Sequence, residues 1–398
     1  DSEGQEGKYY VFTPDEVIQV LGEEQGTVFN LYYQITKQGN FEGANIPNRI
    51  GQQQQVELAR LHQVQEKLQE VHQEQEKLQG IRQDQDELPR LQQVREDLPK
   101  LHQMKEKLYE YRKGRMKLHK DDKILTSWNG LMIVAFAKAY QVFREDYYFS
   151  AAKNAYLFLQ ETMKDEKGRL AIRYRDGHRF GLGNLEDYAN LIWAEISLYE
   201  VSFEPSYLSY ASQDAKEMIR LFWDTENGGF FYYGIDAPQL ITRPKELYDG
   251  AIPSGNSVAA YVLQKLESLT REDIFWKTAE KQFAFLSKEV TDYPMAYSFA
   301  LCACMIKLIE SKEIVCICKD SIDLESLYQL MQKYYMPLDI VIVIWEETAK
   351  ELASVAPFTK DYHKAMEETE IYICENFTCN PPMKGMEALK KYLDQQNQ

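Results

Sequence analysis

The chain has 398 residues, of which 44% are hydrophobic and 27% are charged, and its formal net charge is −16. This length is enough for two or three domains, or for one large repeat domain with an appendage. The negative charge argues against a phosphate-binding surface, so we expect no nucleic-acid partner. No run of 18 apolar residues is present, so we also expect no segment that spans a membrane.

Six cysteines are too few for a disulfide scaffold in a chain of this length, and none of them forms a Cys-X-X-Cys pair. We therefore predict that they are small buried apolar side chains and that the protein is cytoplasmic. Metal-ligand spacings, a Ser-His-Asp triad and a phosphate-binding loop are missing from the sequence, and we predict no metal and no cofactor. The chain begins with Asp-Ser-Glu-Gly rather than Met, so we expect that the true N-terminus is missing from this sequence.

In chain order, residues 1–50 begin with a predicted strand at 8–12. Thr13 is a predicted helix N-cap, with Pro14 in the first turn, and this helix ends near Gly22. A second short helix is predicted at 28–35. We assign residues 1–50 to the same barrel as the later repeats.

Residues 51–118 are a different kind of segment, in which a ten-residue unit such as LHQVQEKLQE repeats from Leu61 onward. The apolar positions drift around the axis of a straight helix, and Pro89 and Pro99 interrupt the pattern. We predict a solvated, Gln-rich helical arm that is broken near those prolines, with residues 52–100 poorly packed on the barrel.

A longer repeat of about sixty residues covers residues 119–311, and it decides the predicted fold. Each unit contains an apolar inner helix, a short turn, an outer helix and a long loop with β character. The predicted helix pairs are 128–143 with 147–163, 187–201 with 207–222, and 254–269 with 274–290. Since neighbouring units bury each other's inner faces, we predict a mainly α protein built as an (α/α) toroid, with a linear solenoid as the alternative.

Residues 312–398 form a small predicted α/β appendage. Three β-rich runs and two helical patterns follow one another there. The β-rich runs are 313–318, 339–345 and 371–374, and the helical patterns are 324–334 and 386–393.

Polar side chains cluster where each inner helix of the repeat begins. These helix ends meet at one mouth in a toroid, so we predict a single pocket there. The predicted catalytic carboxylates are Asp187, Asp249 and Glu246. The predicted substrate-binding residues are Asp122, Lys123, Trp128, Asn129, Arg173, Tyr188, Arg243, Tyr248, Ser254 and Asn256.

This set of side chains suits a sugar-like small molecule. Aromatic faces such as Trp128 and Tyr188 stack on sugar rings, amides and carboxylates bind hydroxyls, and paired carboxylates act as acid and base. A structural role is the alternative for each residue. Asp and Ser at helix starts are common N-caps, and loop arginines often pair with local carboxylates.

Five motifs, EGQEGKYYV from Glu3, GNFEGANI from Gly39, DDKILTSWNGLM from Asp121, RPKELYDGAIPSGNS from Arg243 and YICEN from Tyr372, occur in this order. In these motifs the chain resembles the spermatogenesis-associated, thioredoxin-domain-containing protein family. The resemblance covers nearly everything except the arm. It implies a barrel of the six-hairpin-glycosidase type, similar to the sugar 2-epimerases, that follows an N-terminal thioredoxin-like domain.

We expect that this chain lacks the thioredoxin-like domain, which would then be a partner, and that it holds an incomplete barrel. Our first hypothesis is a carbohydrate-active barrel, epimerase-like or glycosidase-like, in which Asp187 or Asp249 transfers protons. The alternative is a non-catalytic module that binds a ligand or a protein beside a redox domain, and carboxylates buried in pairs with Arg173 or Arg243 would favour it.

Overall fold

A computed structural model of the chain describes residues 4–50, 87–238, 241–309, 311–334, 336–362, 367–375 and 378–396. The predicted arm covers residues 51–118, and its residues 51–86, with the first two units of the decapeptide repeat, lie outside the described residues. The chain divides into two compact units, Asp1–Asp121 and Asp122–Gln398. No described helix combines the length and the apolar character needed to cross a membrane.

The described residues of the first unit form three helices: α1 (Pro14–Leu21), α2 (Glu23–Tyr32) and α3 (Glu87–Arg115). Thr13 begins α1 with a capping box, because its hydroxyl accepts the Glu16 N–H and the Glu16 carboxylate accepts the Thr13 N–H. The apolar faces of the three helices form one buried cluster. It consists of Phe12, Val17, Leu21, Phe29, Ile35, Leu101, Met104 and Leu108.

Two expectations for this unit are wrong. Residues 8–12 form a turn rather than a strand, and only Phe12 makes a β-bridge, to Asn45. The side chain of Asn45 is fully buried and bonds Phe12 and Thr36, so it takes the place of strand pairing there. Helix α3 is also not broken at Pro99, because a single proline removes one backbone hydrogen bond while the following turns pack on the cluster.

The second unit is built from helical hairpins, which confirms the predicted mainly α toroid of paired helices. The inner helices are α4 (Thr126–Phe143), α6 (Leu185–Ser202), α8 (Gly255–Thr270) and α10 (Ser298–Leu308). The outer helices are α5 (Asp146–Phe158), which continues as a π-helical turn (Leu159–Met163), α7 (Pro205–Phe222) and α9 (Asp273–Asp292). Consecutive inner helices pack side by side, and each of the first three packs on its own outer helix.

The turn inside each hairpin has the same backbone conformation. Arg144, Phe203 and Arg271 end the inner helices with positive φ angles of 55°, 54° and 58°. Each donates its N–H to the carbonyl four residues earlier, and the glutamate that follows each of them is the N-cap of the outer helix. A left-handed conformation at a residue with a side chain costs roughly 1–2 kcal/mol, so the surrounding contacts must hold it.

The long loops have less β structure than expected. Strands β1 (Ile124–Leu125), β2 (Ala171–Arg175) and β3 (His178–Leu182) form one antiparallel sheet, as the hairpin-like pattern predicted. The corresponding later segment, residues 229–233, makes only one bridge, between Trp223 and Phe230. The Asn256 side chain holds this segment instead, because its oxygen accepts the Phe230 N–H and its nitrogen donates to the Phe230 carbonyl.

The C-terminal part is an α/β layer, as predicted. It contains β4 (Glu313–Ile317), α11 (Ser321–Lys333), β5 (Ile340–Ile344), α12 (Ala349–Val355), β6 (Glu370–Glu375), β7 (Thr378–Cys379), β8 (Met383–Lys384) and α13 (Met386–Gln396). The sheet order is β5-β4-β6-β7, with β8 also beside β6. Strand β5 runs parallel to β4, whereas β6 is antiparallel to β4 and β7 is antiparallel to β6.

This layer packs on the three hairpin turns. The Tyr328 ring stacks on Phe203 with a centroid distance of 5.6 Å, and the Arg144 guanidinium lies 4.4 Å from the same ring. Arg271 forms an ion pair with Glu313 at the start of β4. The C-terminal layer therefore covers the ends of the inner helices and leaves their starts for other side chains.

Candidate functional site at the inner-helix mouth

The inner helices α4, α6, α8 and α10 all begin at one end of the second unit, which we call the inner-helix mouth. Asp187 connects two of these starts, because its carboxylate oxygens accept N–H bonds from Ser127 at 3.0 Å and from Asn184 at 2.8 Å. Asp249 connects two others. It accepts from Ser254 at 2.8 Å, before α8, and from Phe299 at 2.8 Å and Ala300 at 3.1 Å in the first turn of α10.

These contacts correct the catalytic prediction for the two aspartates. Asp187 and Asp249 are only 3% and 8% exposed, and both oxygens of each carboxylate accept backbone N–H groups. Carboxylates placed in this way satisfy the free N–H groups of helix starts. The helix-cap alternative therefore describes them better than proton transfer does.

The ionisation of Asp187 still reflects its burial. Loss of solvent outweighs the hydrogen bonds from Asn184 and Ser127 and raises the pKa of Asp187 to about 7. The negatively charged form of this cap is thus costly in the folded protein.

Three other predicted binding residues are also structural. Tyr188 is fully buried with its ring against Phe222, and its hydroxyl accepts the Leu170 N–H at 3.2 Å, so it cannot stack on a sugar. Asn256 is fully buried and donates to the carbonyls of Phe230 and Glu246 at 2.9 Å and 2.8 Å. Ser254 caps α8 by accepting the N–H of Ser257.

The exposed candidates divide between the mouth and the neighbouring β-sheet. Trp128 is 60% exposed beside Ser127, and Tyr248 is 68% exposed beside Asp249, so both rings are available at the mouth. Glu246 is exposed on the segment before α8. Half-buried Asn129 donates to the carbonyl of Leu125 at 2.8 Å and closes the first turn of α4.

The remaining charged candidates lie in the loops. Asp122 pairs with Arg175 at 2.8 Å, and Arg173 is exposed on β2 with its guanidinium 5.1 Å from the Phe180 ring. Lys123, next to Asp122, is half-buried. Arg243 donates to the Tyr233 carbonyl at 2.6 Å and lines a separate small cavity of about 140 Å³.

The structure identifies a carboxylate at the mouth that the sequence analysis did not select. Glu186 is half-buried in the first turn of α6, and the N-terminal residue of α8, Gly255, lies against its backbone N–H. Burial first, and the negative charge of Glu246 second, raise the pKa of Glu186. The only sequence signal for Glu186 was its position beside Asp187.

Tyr232 completes this group. Its hydroxyl accepts an N–H from the side chain of Asn184 at 3.0 Å. Burial, followed by the charges of Glu186 and Glu246, raises the pKa of Tyr232 to about 12. The charges of Glu186 and Glu246 therefore both act on the Tyr232 phenol, and groups whose pKa values are shifted in this way are candidates for proton transfer.

Known proteins with related sequences share much of this chain. Spermatogenesis-associated protein 20 of Rattus norvegicus is 32% identical over 299 residues, which are 71% of this chain and 37% of that protein. The Mus musculus protein of the same name is 28% identical over 415 residues, which are 98% of this chain and 50% of that protein. The chain thus spans half or less of the length of these relatives, and no protein-family model matches it.

Solved structures with a similar fold match a smaller part of this chain. The cellobiose 2-epimerase of Bacillus thermoamylovorans has a TM-score of 0.37 and 17% identity, covering 44% of this chain and 47% of that chain. The GH76 α-mannanase of Bacteroides thetaiotaomicron has the same TM-score and coverage with 16% identity. Both TM-scores are below 0.5, so a function has to be argued from the residues of this chain.

Proposed function

We propose that this chain, which belongs to the spermatogenesis-associated protein 20 family, binds a carbohydrate at its inner-helix mouth. The observation that carries the proposal is that Glu186, whose pKa is raised by burial and by the charge of Glu246, lies in the first turn of α6 at the same mouth as the exposed rings of Trp128 and Tyr248. Trp128 and Tyr248 lie on segments whose neighbouring residues, Ser127 and Asp249, are fixed at the helix starts. Exposed rings held by a rigid backbone suit the apolar faces of sugar rings.

In this proposal Glu186 is the general acid and Glu246 is its partner carboxylate. The pKa of Glu186 is raised by burial and by Glu246, so Glu186 keeps its proton to higher pH than an ordinary glutamate does. A protonated carboxyl beside a second carboxylate is the basis of acid–base catalysis on sugars. Glycosidase-like reactions use such a pair, so the catalytic residues of this proposal are Glu186 and Glu246 rather than Asp187 and Asp249.

A sugar library tests this proposal, on the chain and on a full-length relative. Mono- and oligosaccharides are incubated with protein, and product sugars are detected by NMR. We expect turnover that falls at least tenfold in both Glu186→Gln and Glu246→Gln. The control is Glu226→Gln, at an exposed carboxylate in the loop after α7, and it should keep full activity. Turnover that survives both mouth substitutions would exclude this pair as the catalytic residues.

A second function remains, supported by the hydrogen bonding of Asp187 and Asp249. Their carboxylates are used entirely for helix starts, as in a scaffold built for binding rather than for reaction. A non-catalytic module of this kind would bind a sugar in the library without converting it. The same mouth variants would then change affinity, and no product would form.

A further inference from the structure

Two free cysteines lie side by side at one end of the C-terminal sheet. Cys316 is inside β4 and Cys318 directly follows its last residue, and the two Sγ atoms are 3.5 Å apart. Residues two apart on a strand point to the same face, which explains the contact. Cys316 is fully buried, and Cys318 is 5% exposed.

The chain contains the same spacing in a helix, and there it produces no pair. Cys302 and Cys304 are also separated by one residue, but they lie in α10, where successive side chains turn by about 100°. Cys302 is exposed and Cys304 is half-buried. The strand, and not the Cys-X-Cys spacing itself, therefore brings Cys316 and Cys318 together.

The position of the pair in the sheet is a second observation. Strand β4 is followed by α11 and the parallel strand β5, and then by antiparallel β6 and the final helix α13 on the side of α11. This order is that of the thioredoxin fold, and Cys318 lies between its first strand and the N-cap of its first helix, Asp320. Thr369, just before β6, faces this junction and accepts the Lys319 N–H at 3.0 Å.

We propose that Cys316 and Cys318 are a redox-active dithiol that closes reversibly to a disulfide by exchange with a small disulfide such as oxidised glutathione. This site is separate from the inner-helix mouth and does not depend on the function proposed for it. The Cys318 sulfur attacks the glutathione disulfide, which forms a mixed disulfide and releases one glutathione. The Cys316 sulfur then attacks Cys318, forms the internal disulfide and releases the second glutathione.

Electrons and protons balance in this exchange. The two protein thiols lose two electrons and two protons, which reduce one glutathione disulfide to two glutathione thiols. Cys318 attacks first because it is the more exposed sulfur. Its hydrogen bond to Cys316, together with burial, raises the pKa of the Cys316 thiol well above its usual range. A disulfide bond is about 2.05 Å long, so the sulfurs must approach by about 1.5 Å.

Peptide mapping tests the proposal on the folded full chain. The protein is treated with oxidised glutathione, blocked with N-ethylmaleimide, unfolded and cut with trypsin. Cleavage after Lys312 and Lys319 gives one peptide with both cysteines. We expect this peptide to have lost two hydrogens and to bind N-ethylmaleimide only after reduction. The exposed Cys302 serves as the internal control and should carry glutathione.

Single substitutions separate a dithiol from two packed side chains. Cys316→Ser should stop at a glutathione adduct on Cys318, whereas Cys318→Ser should leave Cys316 unmodified. Cys302→Ser should close the disulfide as the unchanged protein does. If the peptide keeps two alkylatable thiols under conditions that modify Cys302, the proposal is overturned. Peptide mapping of the unchanged protein tests whether the disulfide forms, even if one serine variant fails to fold.

Discussion

Single residues set the pH response of the fold, and Asp187 is the clearest case. The pKa of Asp187 is about 7 in the folded protein, against roughly 3.9 in an unfolded chain. The folded state therefore holds the proton more tightly between these values. This group makes its whole contribution to stability below about pH 4. The contribution falls by up to about 1.4 kcal/mol per pH unit as the pH rises from about 4 to about 7, and it is lost above that pH.

The variant Asp187→Asn isolates this contribution, since it has a similar shape and no charge to titrate. We expect urea unfolding to give a larger penalty for the substitution at pH 5 than at pH 8. The exposed Asp176→Asn is the matched control and should show no such difference. An equal penalty at both pH values would show that Asp187 has an ordinary pKa in the fold.

A second prediction concerns a buried ion pair at the other ends of the inner helices. Lys265 is 2% exposed, and its ammonium lies 2.9 Å from Glu200. Burial would raise the pKa of Glu200, but Lys265 and Lys138 outweigh it and lower the pKa to about 2. Replacing Lys265 with Met removes the main partner of the Glu200 carboxylate and leaves its buried charge uncompensated. We therefore expect the free energy of unfolding to fall by about 3–5 kcal/mol.

The matched control for this pair is Lys277→Met. Lys277 forms an exposed pair with Asp273 four residues earlier, and such pairs contribute about 0.5 kcal/mol or less. Urea unfolding at pH 7 compares the two variants. Similar losses in both would mean that Lys265 is solvated and that its pairing matters little.

At this scale the sequence indicated where polar residues gather but not what each one does. The sequence alone does not distinguish an aspartate that faces solvent from one that accepts backbone N–H groups at a helix start, as Asp187 and Asp249 do. The role of Glu186 depends on Glu246, sixty residues later, so neither position reveals it alone. Cys374 is disulfide-bonded, contrary to the expectation of a small apolar side chain.

Packing between elements depends on a close crossing of the first two inner helices. A side chain at Gly130 in α4 would lie 2.8 Å from the backbone oxygen of Asn190 in α6. Alanine normally stabilises a helix by up to about 1 kcal/mol relative to glycine. Because backbone blocks the space here, we expect Gly130→Ala to destabilise the protein by about 1–3 kcal/mol instead.

Gly114 in α3 provides the control, because nothing lies within 4 Å of a side chain placed there. Gly114→Ala should be neutral or stabilising in the same urea experiment. A stabilising effect of both substitutions would show that α4 and α6 do not cross closely at Gly130.

Most helices were predicted from sequence because apolar periodicity is strong in each of them. Helix α6, predicted at 187–201, is observed at Leu185–Ser202, and α8, predicted at 254–269, is observed at Gly255–Thr270. The left-handed turns at Arg144, Phe203 and Arg271 were not predicted, because their residue types give no sign of positive φ. Their contacts with the C-terminal layer explain this choice better than local preference does.

For the whole molecule, we predict association through apolar side chains that are exposed at both edges of the hairpin array. Met132 and Val142 on α4 are 53% and 55% exposed, and Met305 and Leu308 on α10 are 46% and 77% exposed. Exposed apolar faces of this kind drive association. We expect light scattering of the purified chain to show oligomers whose mass rises with concentration.

Charged substitutions at both edges should reverse this behaviour. The double variant Met132→Lys with Leu308→Lys should be closer to a monomer than the unchanged chain. Ile322→Lys is the control, because Ile322 is 73% exposed and lies on α11 rather than on either of the two edge helices. A monodisperse monomer of the unchanged chain at all concentrations would contradict the prediction that its edges are open.

The central claim is that the inner-helix mouth binds a carbohydrate, and saturation-transfer NMR measures this directly. We predict that the unchanged chain transfers saturation to the ring protons of at least one sugar in the library, and that Trp128→Ala abolishes the transfer. Trp276→Ala, which removes a ring that is 51% exposed on the outer helix α9, should leave it intact. The claim is contradicted if no sugar receives saturation, or if Trp128→Ala and the unchanged chain transfer it equally.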